Sequence, residues 1–218
     1  MNFGELVTAV IVGDFEPENA AGLEDSIKEW LNEGYLEIAS RDLSPFEQED
    51  IITLETGVTD YDLFDDYRKM YNMRTEENGP ITFQDKRRFD YVRHHMGLAA
   101  DTGPPKDAII VGKIVRIQPI PDKEYEAICT YYHIPERMVA DNATHLLTGD
   151  KENLLIIFAQ SKFLFREKDR AGSKELKNEF EAKLMRWEVE EFNNRVTDNI
   201  DIIQLEREYY SRFGRRVH

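Results

Sequence analysis

The histidines and the acidic residues are the first side chains to test for chemistry, because they supply metal ligands, general acids and general bases. One group suggests a metal site by its composition: His94, His95, Asp90 and Asp101. However, the side chains of adjacent histidines point in different directions, and no defined ligand spacing connects the four. The remaining carboxylates form pairs only by chance, since no motif surrounds them. The sequence therefore predicts no catalytic residue, no cofactor and no metal site.

Three further reactive side chains stand alone in the sequence. Cys129 is the single cysteine, which excludes an intramolecular disulfide. It lies in Tyr125–His133, a run of β-branched and aromatic residues, and is expected to be a small core residue rather than a nucleophile. His133 and His145 have no partner motif, which favours a core or a surface position for each.

Two segments combine basic and aromatic side chains. Lys86–His95, KRRFDYVRHH, is either a short helix or an exposed strand; it could touch a phosphate, although a protein contact or an exposed edge is favoured. The second segment is Asp198–His218, which is predicted to leave the globular body as an extension. Buried interface cores favour its arginine and aromatic residues. They are Arg207, Tyr209, Tyr210, Arg212, Phe213, Arg215 and Arg216.

The composition describes a folded, acidic and strongly solvated chain. It has 218 residues, of which 41% are hydrophobic and 33% charged, and its formal net charge is -15. Affinity for the DNA backbone comes mainly from Lys and Arg, so a protein of this charge should not grip DNA. Such a protein either does not interact with nucleic acid, or imitates nucleic acid, or allows nucleic acid to pass without binding it.

A membrane-spanning or secreted chain is not predicted. The longest apolar run, Leu154–Ala159, is much shorter than the ~20 residues that cross a bilayer. The first residues, MNFGELVTAVIVGDFEPE, have no basic region and are not expected to form a signal peptide.

Hydrophobic periodicity divides the chain into zones and predicts an α+β fold. Helical patterns cover 1–44 and 150–197, which are expected to form a helical bundle. Short strands with frequent turn signals cover 45–140, which is expected to form a small antiparallel β-domain inserted in the helical body. Residues 198–218 are the expected C-terminal extension.

The first predicted helix is amphipathic and covers Pro17–Arg41. Gly34 is expected to interrupt its apolar stripe, which consists of Leu23, Ile27, Trp30, Leu31 and Ile38. A shorter apolar segment before this helix, Leu6–Val12, is compatible with a helix or a strand.

Two further helices are predicted near the end of the chain, Lys151–Lys168 and Lys174–Arg195. A short joint, Arg170–Ser173, connects them, so they are expected to pack antiparallel as a hairpin. Phe165 is expected on the apolar face of the first helix. Ser173 is expected to be a weak N-cap of the second, because no Glu at the N3 position completes a capping box.

The most distinctive stretch of the β-domain is Lys113–Arg137. It is predicted to be a hairpin in which Ile114–Ile117 pairs with Tyr125–His133. The turn between them is Pro119–Asp122, where Pro presets φ and Asp closes the turn through its own backbone. Ala108–Val111 is expected to join this hairpin in a meander.

The predicted hairpin contains no catalytic or ligand-binding motif, so its exposed side chains are expected to contact neighbouring protein. Side chains alternate along a strand. One of Tyr131 and Tyr132 should therefore face the core and the other should face outward.

Four segments in this order resemble the head-to-tail adaptor proteins of tailed bacteriophages, of the tail tubular protein A type. They are the amphipathic helix ending near Arg41, the strand–turn–strand segment Ile51–Met73 with TLETGVTDYDL, the meander DAIIVGKIVRIQPIPDKEYEAICTYYHIPERM and the C-terminal helical hairpin. The resemblance covers most of residues 10–195. Leu63 is followed by Phe64, whereas such proteins usually have Pro at that point.

The resemblance implies a structural protein of the virion neck, with no enzymatic activity, no cofactor and no membrane partner, made in the cytoplasm of the bacterial host. Such proteins form a ring, commonly of twelve subunits, beneath the portal protein. The ring meets the next tail component and lines the channel through which genome DNA passes without specific binding. The arginine and aromatic residues of 198–218 are then expected to dock on the portal or on a neighbouring subunit.

The acidic composition also leaves a different class of function open. The chain could be an inhibitor that imitates DNA and binds a host nucleic-acid protein. That function needs carboxylates spaced along one face, whereas here they are distributed through amphipathic helices that also carry Lys and Arg.

Overall fold

The structure of the protein is a computed structural model, and it describes residues 1–14, 22–95 and 101–197. The predicted α+β class is confirmed, because these residues form five α-helices and two small sheets. They divide into two compact units. The helical unit comprises the described residues of Met1–Pro45 and Glu136–His218, and the β unit is Phe46–Pro135.

The helices follow the apolar periodicity of the sequence. In chain order they are α1 (Phe3–Asp14), α2 (Glu24–Ala39), α3 (Lys86–His95), α4 (Glu152–Arg166) and α5 (Arg170–Thr197). Helix α3 belongs to the β unit and the other four to the helical unit. The ambiguous segment Leu6–Val12 is helical, within α1. Among the described residues, no helix is long and apolar enough to span a bilayer.

Helix α2 is shorter and packs more closely than the sequence predicts. The predicted range Pro17–Arg41 is too long, because Gly22 has a φ of 88° that a right-handed helix does not allow. Gly34 does not interrupt the apolar stripe. A Cβ atom there would lie 2.9 Å from Cδ1 of Phe158, so the glycine allows α2 and α4 to approach closely.

Helices α4 and α5 form the expected hairpin, but α5 begins earlier than predicted. Lys168, in the turn, has a φ of 67°. Asp169 is the N-cap, since its Oδ1 accepts a hydrogen bond from the backbone N–H of Gly172 at 3.0 Å. The predicted cap, Ser173, lies inside the helix. Phe165 was expected on the apolar face, but it is 64% exposed.

Eight strands form the two sheets in the described part of the β unit. They are β1 (Glu47–Leu54), β2 (Asp60–Asp62), β3 (Tyr67–Thr75), β4 (Gly79–Pro80), β5 (Thr82–Phe83), β6 (Asp107–Val111), β7 (Ile114–Gln118) and β8 (Tyr125–His133). One sheet has the order β1-β8-β3-β4 and the other β2-β7-β6-β5. The pair β5 and β6 is parallel, so the expected purely antiparallel domain is a mixed one.

Strand β8 lies in the middle of its sheet and pairs with β1 over the whole length of β1. The register runs from Glu47 opposite Tyr132 to Leu54 opposite Tyr125. Strand β3 pairs with the other edge of β8. The first and last strands of the β unit are therefore direct neighbours.

The predicted hairpin within Lys113–Arg137 is wrong. Strands β7 and β8 lie in different sheets, and the proline-containing segment between them carries the chain from one sheet to the other. Strand β7 pairs instead with β6, through the two-residue turn Gly112–Lys113. Gly112 has a φ of 65°, and glycine at this first central position suits a type II′ hairpin turn. The predicted three-strand meander is also wrong, because β8 does not join it.

Residues from both sheets share one apolar core. It contains Ile52, Leu54, Leu63, Met73, Ile81, Ala108, Val115, Ile117, Tyr125, Ala127 and Cys129. Burial of these apolar side chains stabilises the packing of the two sheets against each other.

Tyr131 and Tyr132 follow the alternation of a strand but not the predicted exposure. Their relative exposures are 0% and 1%, so the expectation that one faces outward is wrong. The guanidinium carbon of Arg68 lies 5.3 Å from the centre of the Tyr132 ring. The ring of Tyr71 contacts Tyr132 edge-on at 6.2 Å. Both faces of β8 are therefore covered at this point.

Candidate functional site

A polar cluster surrounds the buried side chain of Tyr131. The hydroxyl oxygen lies 2.9 Å from Oδ2 of Asp50 and 3.0 Å from Oδ1 of Asp66. Gln48 Nε2 donates a hydrogen bond to Asp50 Oδ2 at 2.7 Å. The ring of Phe64 stacks on the ring of Tyr131 at 4.7 Å. These contacts join β1, β8 and the segment that precedes β3.

The chemistry of this Tyr131 cluster points to a structural role. Burial, followed by the hydrogen bonds to Asp50 and Asp66, raises the pKa of the Tyr131 phenol above its usual range. The phenol therefore stays neutral, and its single proton is shared between two carboxylate acceptors. A buried donor between two acceptors holds strands in register.

Cys129 is a core residue, as the sequence predicts. Its side chain is fully buried, with Sγ 3.7 Å from the carbonyl oxygen of Ala127. Burial raises the pKa of the thiol to about 12, because the charged thiolate would lose its hydration. The thiolate is the reactive form of cysteine, so this thiol is unreactive at neutral pH.

The described histidines do not assemble a metal site. The side chain of His145 is buried, its ring contacts Tyr35 edge-on, and burial lowers its pKa. Its Nε2 lies 4.0 Å from Oε1 of Glu152, which is too far for a hydrogen bond. His133 packs beside Phe46. In the part of the chain that the structure describes, no three His, Cys, Asp or Glu side chains could hold a metal ion.

The basic and aromatic segment Lys86–His95 is a helix, α3, which is one of the two predicted alternatives. Asp85 caps it, accepting a hydrogen bond from the backbone N–H of Arg88 at 3.0 Å. Phe89 is 2% exposed and anchors the helix, whereas Tyr91 is 59% exposed. Because Phe89 is buried, it offers no face on which a base could stack.

A groove of about 300 Å³ lies between the start of α4 and the second half of α5. Lys151 Nζ lies 4.7 Å from the ring centre of Trp187 and 3.2 Å from Oε2 of Glu190. Lys183 forms an ion pair with Glu179 at 2.7 Å. These ion pairs neutralise both lysines within the chain.

Unpaired cations gather at the tip of the α4–α5 hairpin. Arg170, Lys174 and Lys177 are exposed and fall at i, i+4 and i+7, which places them on one face of α5. None of the three forms an ion pair within the described residues. Phe165, at the end of α4, adds an exposed aromatic ring. We call these four residues the hairpin tip.

Sequence reasoning missed the hairpin tip, although its spacing is visible in the sequence. The boundary between the helices was predicted within Arg170–Ser173, which hid the shared face of Arg170 and Lys174. The position of Asp169 as N-cap is the signal that assigns Arg170 to the helix.

Several residues singled out in the sequence lie outside the described part of the structure. They are the side chains of His94 and His95, together with Arg207, Tyr209, Tyr210, Arg212, Phe213, Arg215 and Arg216. The docking role of the C-terminal residues stays a prediction.

Comparison with protein families identifies the chain. The family described as SU10 adaptor protein matches residues 1–213. The chain belongs to the SU10 adaptor protein family. The chain matches no curated protein sequence. The predicted resemblance to phage head-to-tail adaptors is therefore confirmed.

Membership of the SU10 adaptor family assigns the chain a structural role at the phage head-to-tail joint. The family implies a position in the virion neck and contacts with a portal and with tail components.

Proposed function

We propose that this SU10 adaptor forms a ring between the portal and the tail and lines the channel through which DNA passes. Such rings commonly hold twelve copies, and we expect that number here. The observation that carries the proposal is the family match over residues 1–213 of a 218-residue chain. The proposal includes no enzymatic step and no cofactor.

The charge of the chain supports passage of DNA without binding. Each copy has a formal net charge of -15, so a ring of copies produces a negative field in its channel. This field is screened beyond about 8–10 Å at physiological salt, which limits it to the channel wall. Phosphates near the wall are repelled rather than held by counterion release.

We also propose a separate role for each part of the chain. Residues 45–140 act as a β-domain inserted into a helical body formed by 1–44 and 150–197. Residues 198–218 act as an extension that docks on the portal or on a neighbouring subunit. The arginine and aromatic side chains of this extension suit the centre of an interface.

The ring is tested by mixing the purified protein with the purified portal protein and measuring mass in solution. We expect a portal-dependent complex with many adaptor copies, and electron microscopy should place it at the lower face of the portal. A monomer or dimer that does not attach to portal contradicts the proposal.

The docking of the extension is tested by deleting Ile200–His218 and measuring attachment to portal. The deletion should remove attachment while leaving the melting temperature of the remaining chain unchanged. A shorter deletion of Val217 and His218, which keeps the arginine and aromatic residues, is the matched control. Full attachment of the longer deletion contradicts docking by this segment.

A DNA-imitating inhibitor is less well supported, because many carboxylates are already neutralised within the chain. Arg41 lies within 3.6 Å of three of them, on Glu37, Glu181 and Glu188. Arg116 forms two hydrogen bonds with Asp60. Carboxylates held in this way do not present the evenly spaced negative charges of a DNA strand.

A further inference from the structure

The hairpin tip concentrates positive charge on a strongly acidic chain. Between Lys162 and Lys177 there are six basic residues and three acidic ones, although the whole chain has a net charge of -15. Lys162 is neutralised by Glu33 at 2.7 Å. Arg170, Lys174 and Lys177 have no such partner among the described residues.

The local arrangement of these cations is unfavourable within one molecule. No acidic residue lies in the first turn of α5, where the helix dipole favours negative charge. Arg170 and Lys174, at i and i+4, also repel each other. The carboxylate of Asp169 at the N-cap offsets part of this repulsion. The three exposed cations still form a net positive surface, which suits a negatively charged partner.

The same chain carries an acidic surface that complements the hairpin tip. Residues 1–45 contain ten acidic residues and two basic ones. Glu24 and Asp25, in the first turn of α2, are exposed and form no ion pair within the described residues. We call these two residues the acidic start of α2.

Both surfaces lie at the same end of the helical unit. Arg166, the last residue of α4, donates a hydrogen bond from Nη1 to Oγ of Ser26 in α2 at 3.2 Å. The end of α4 leads directly into the hairpin tip. Every copy in a cyclic ring has the same environment, so one contact can pair the hairpin tip of each copy with the start of α2 on the next.

We propose that the hairpin tip is a docking surface for a second copy of this chain. Arg170, Lys174 and Lys177 of one copy meet the acidic start of α2 on the next copy, and Phe165 packs at the centre of the contact. A contact between two different patches is of the heterologous type, which generates a ring when the rotation between copies closes. This inference rests on the proposed ring and adds which surfaces form it.

A nucleic-acid partner fits the hairpin tip less well. The segment intersperses Glu167, Asp169 and Glu175 among its cations, whereas phosphate-binding surfaces gain affinity from uninterrupted Lys and Arg. Phe165 is 64% exposed, and an aromatic ring beside arginine is typical of a protein interface centre. Opposite charges on adjoining copies also offset the repulsion between chains of net charge -15.

Two charge-reversal variants test the contact. Lys174→Glu with Lys177→Glu makes the hairpin tip acidic, and Glu24→Lys with Asp25→Lys makes the start of α2 basic. Each variant alone opposes like charges, so in the presence of purified portal it should form the multi-copy complex about tenfold more weakly than the wild type, as measured by sedimentation velocity at low salt. An equimolar mixture should restore association, because each altered surface then meets its complement on the other variant.

Controls keep the result interpretable. Lys183→Glu with Arg186→Glu reverses the same number of charges farther along α5 and should leave association unchanged. A single chain with all four substitutions at the two surfaces should associate like the wild type, which excludes misfolding as the cause of the losses. The melting temperature of each variant checks that it folds.

Three outcomes overturn the contact. The first is a mixture that assembles on portal no better than its components, and the second is a wild-type protein that binds portal only as separate single copies. The third is binding of a DNA duplex by the wild type that Lys174→Glu with Lys177→Glu abolishes, which would assign the hairpin tip to phosphate. Attachment of each protein to portal is measured in parallel. A wild type that does not attach to portal overturns the adaptor role. A mixture of variants that attaches to portal but does not recover assembly overturns only this contact.

Discussion

The Tyr131 cluster and the hairpin tip differ in whether their polar and charged groups are paired within the chain. The hydroxyl of Tyr131 is buried between the carboxylates of Asp50 and Asp66. At the hairpin tip, Lys174 and Lys177 are exposed and have no ion-pair partner among the described residues. Polar groups that are satisfied within the chain stabilise the fold, whereas unsatisfied ones are available for association.

Removing the Tyr131 side chain should have the largest effect on stability. Tyr131→Ala leaves a cavity beside Phe64 and two carboxylates without their donor, so the free energy of unfolding should fall by about 3–5 kcal/mol. Urea denaturation followed by circular dichroism measures the change. Tyr71→Ala, at a tyrosine that is 41% exposed, is the control and should have a much smaller effect. Equal losses for the two variants would remove the contrast between buried and exposed sites.

Removing only the hydroxyl of Tyr131 should separate the polar from the apolar contribution of this side chain to the free energy of unfolding. Tyr131→Phe keeps the ring that stacks on Phe64 but leaves Asp50 and Asp66 without the phenol donor. The free energy of unfolding should fall by about 1–3 kcal/mol. An unchanged value in the same denaturation experiment would mean that the hydrogen bonds add nothing beyond the ring.

The buried thiol should make the fold sensitive to alkaline pH. The pKa of Cys129 is raised from 9.0 to about 12 in the folded chain, so the folded state holds this proton more tightly than the unfolded state does. The stabilisation is complete below pH 9 and is lost as pH rises from 9 towards 12, by about 1.4 kcal/mol per pH unit. Stability measured against pH should fall less steeply for Cys129→Val than for the wild type. Parallel curves would contradict the assignment.

The cap of α5 should contribute a smaller, local stabilisation. Asp169→Ala removes the acceptor for the backbone N–H of Gly172 and should lower the free energy of unfolding by about 1 kcal/mol. Ser173→Ala is the matched control, because this serine lies inside the helix, and it should change stability little. The reverse order of the two effects would restore Ser173 as the cap.

Neutralising the hairpin tip should have the smallest effect, and of opposite sign. Lys174→Ala with Lys177→Ala removes the like-charge repulsion between Arg170 and Lys174 at i and i+4. The free energy of unfolding should rise by about 0.2–0.5 kcal/mol, as measured by the urea midpoint. Lys162→Ala, which removes an ion pair with Glu33, is the control and should give no increase. A loss of stability at the hairpin tip would contradict its assignment as an unsatisfied surface.

Local sequence signals predicted the elements better than their pairing. The helical period around Ile27 and Leu31 indicates α2, and the burial of Cys129 follows from its apolar run. The strand that pairs with β8 was not predictable in this way. The pairing of β8 with β1 joins residues that are distant in the sequence, such as Glu47 and Tyr132. The close turn at Gly112 determined the partner of β7, and the proline-containing segment was mistaken for a hairpin turn.

The functional surfaces were predictable only in part. The family resemblance was predictable from ordered motifs, because those motifs are contiguous in sequence, and the family match over residues 1–213 confirms it. The hairpin tip was missed because it depends on where α5 begins, and the buried position of Tyr132 was missed because it depends on Arg68 in a neighbouring strand. Such facts follow from tertiary contacts, which spacing along one segment does not contain.

The pairing of the first and last strands of the β unit has a consequence for how such chains diversify. Glu47 lies opposite Tyr132, so the chain enters and leaves the β unit at points one strand spacing apart, or about 5 Å. A module attached through two adjacent connections can be lengthened, shortened or exchanged without moving the ends of the helices that carry it. Insertions or deletions within the β unit are thus expected to leave the spacing of its two connections to the rest of the chain unchanged.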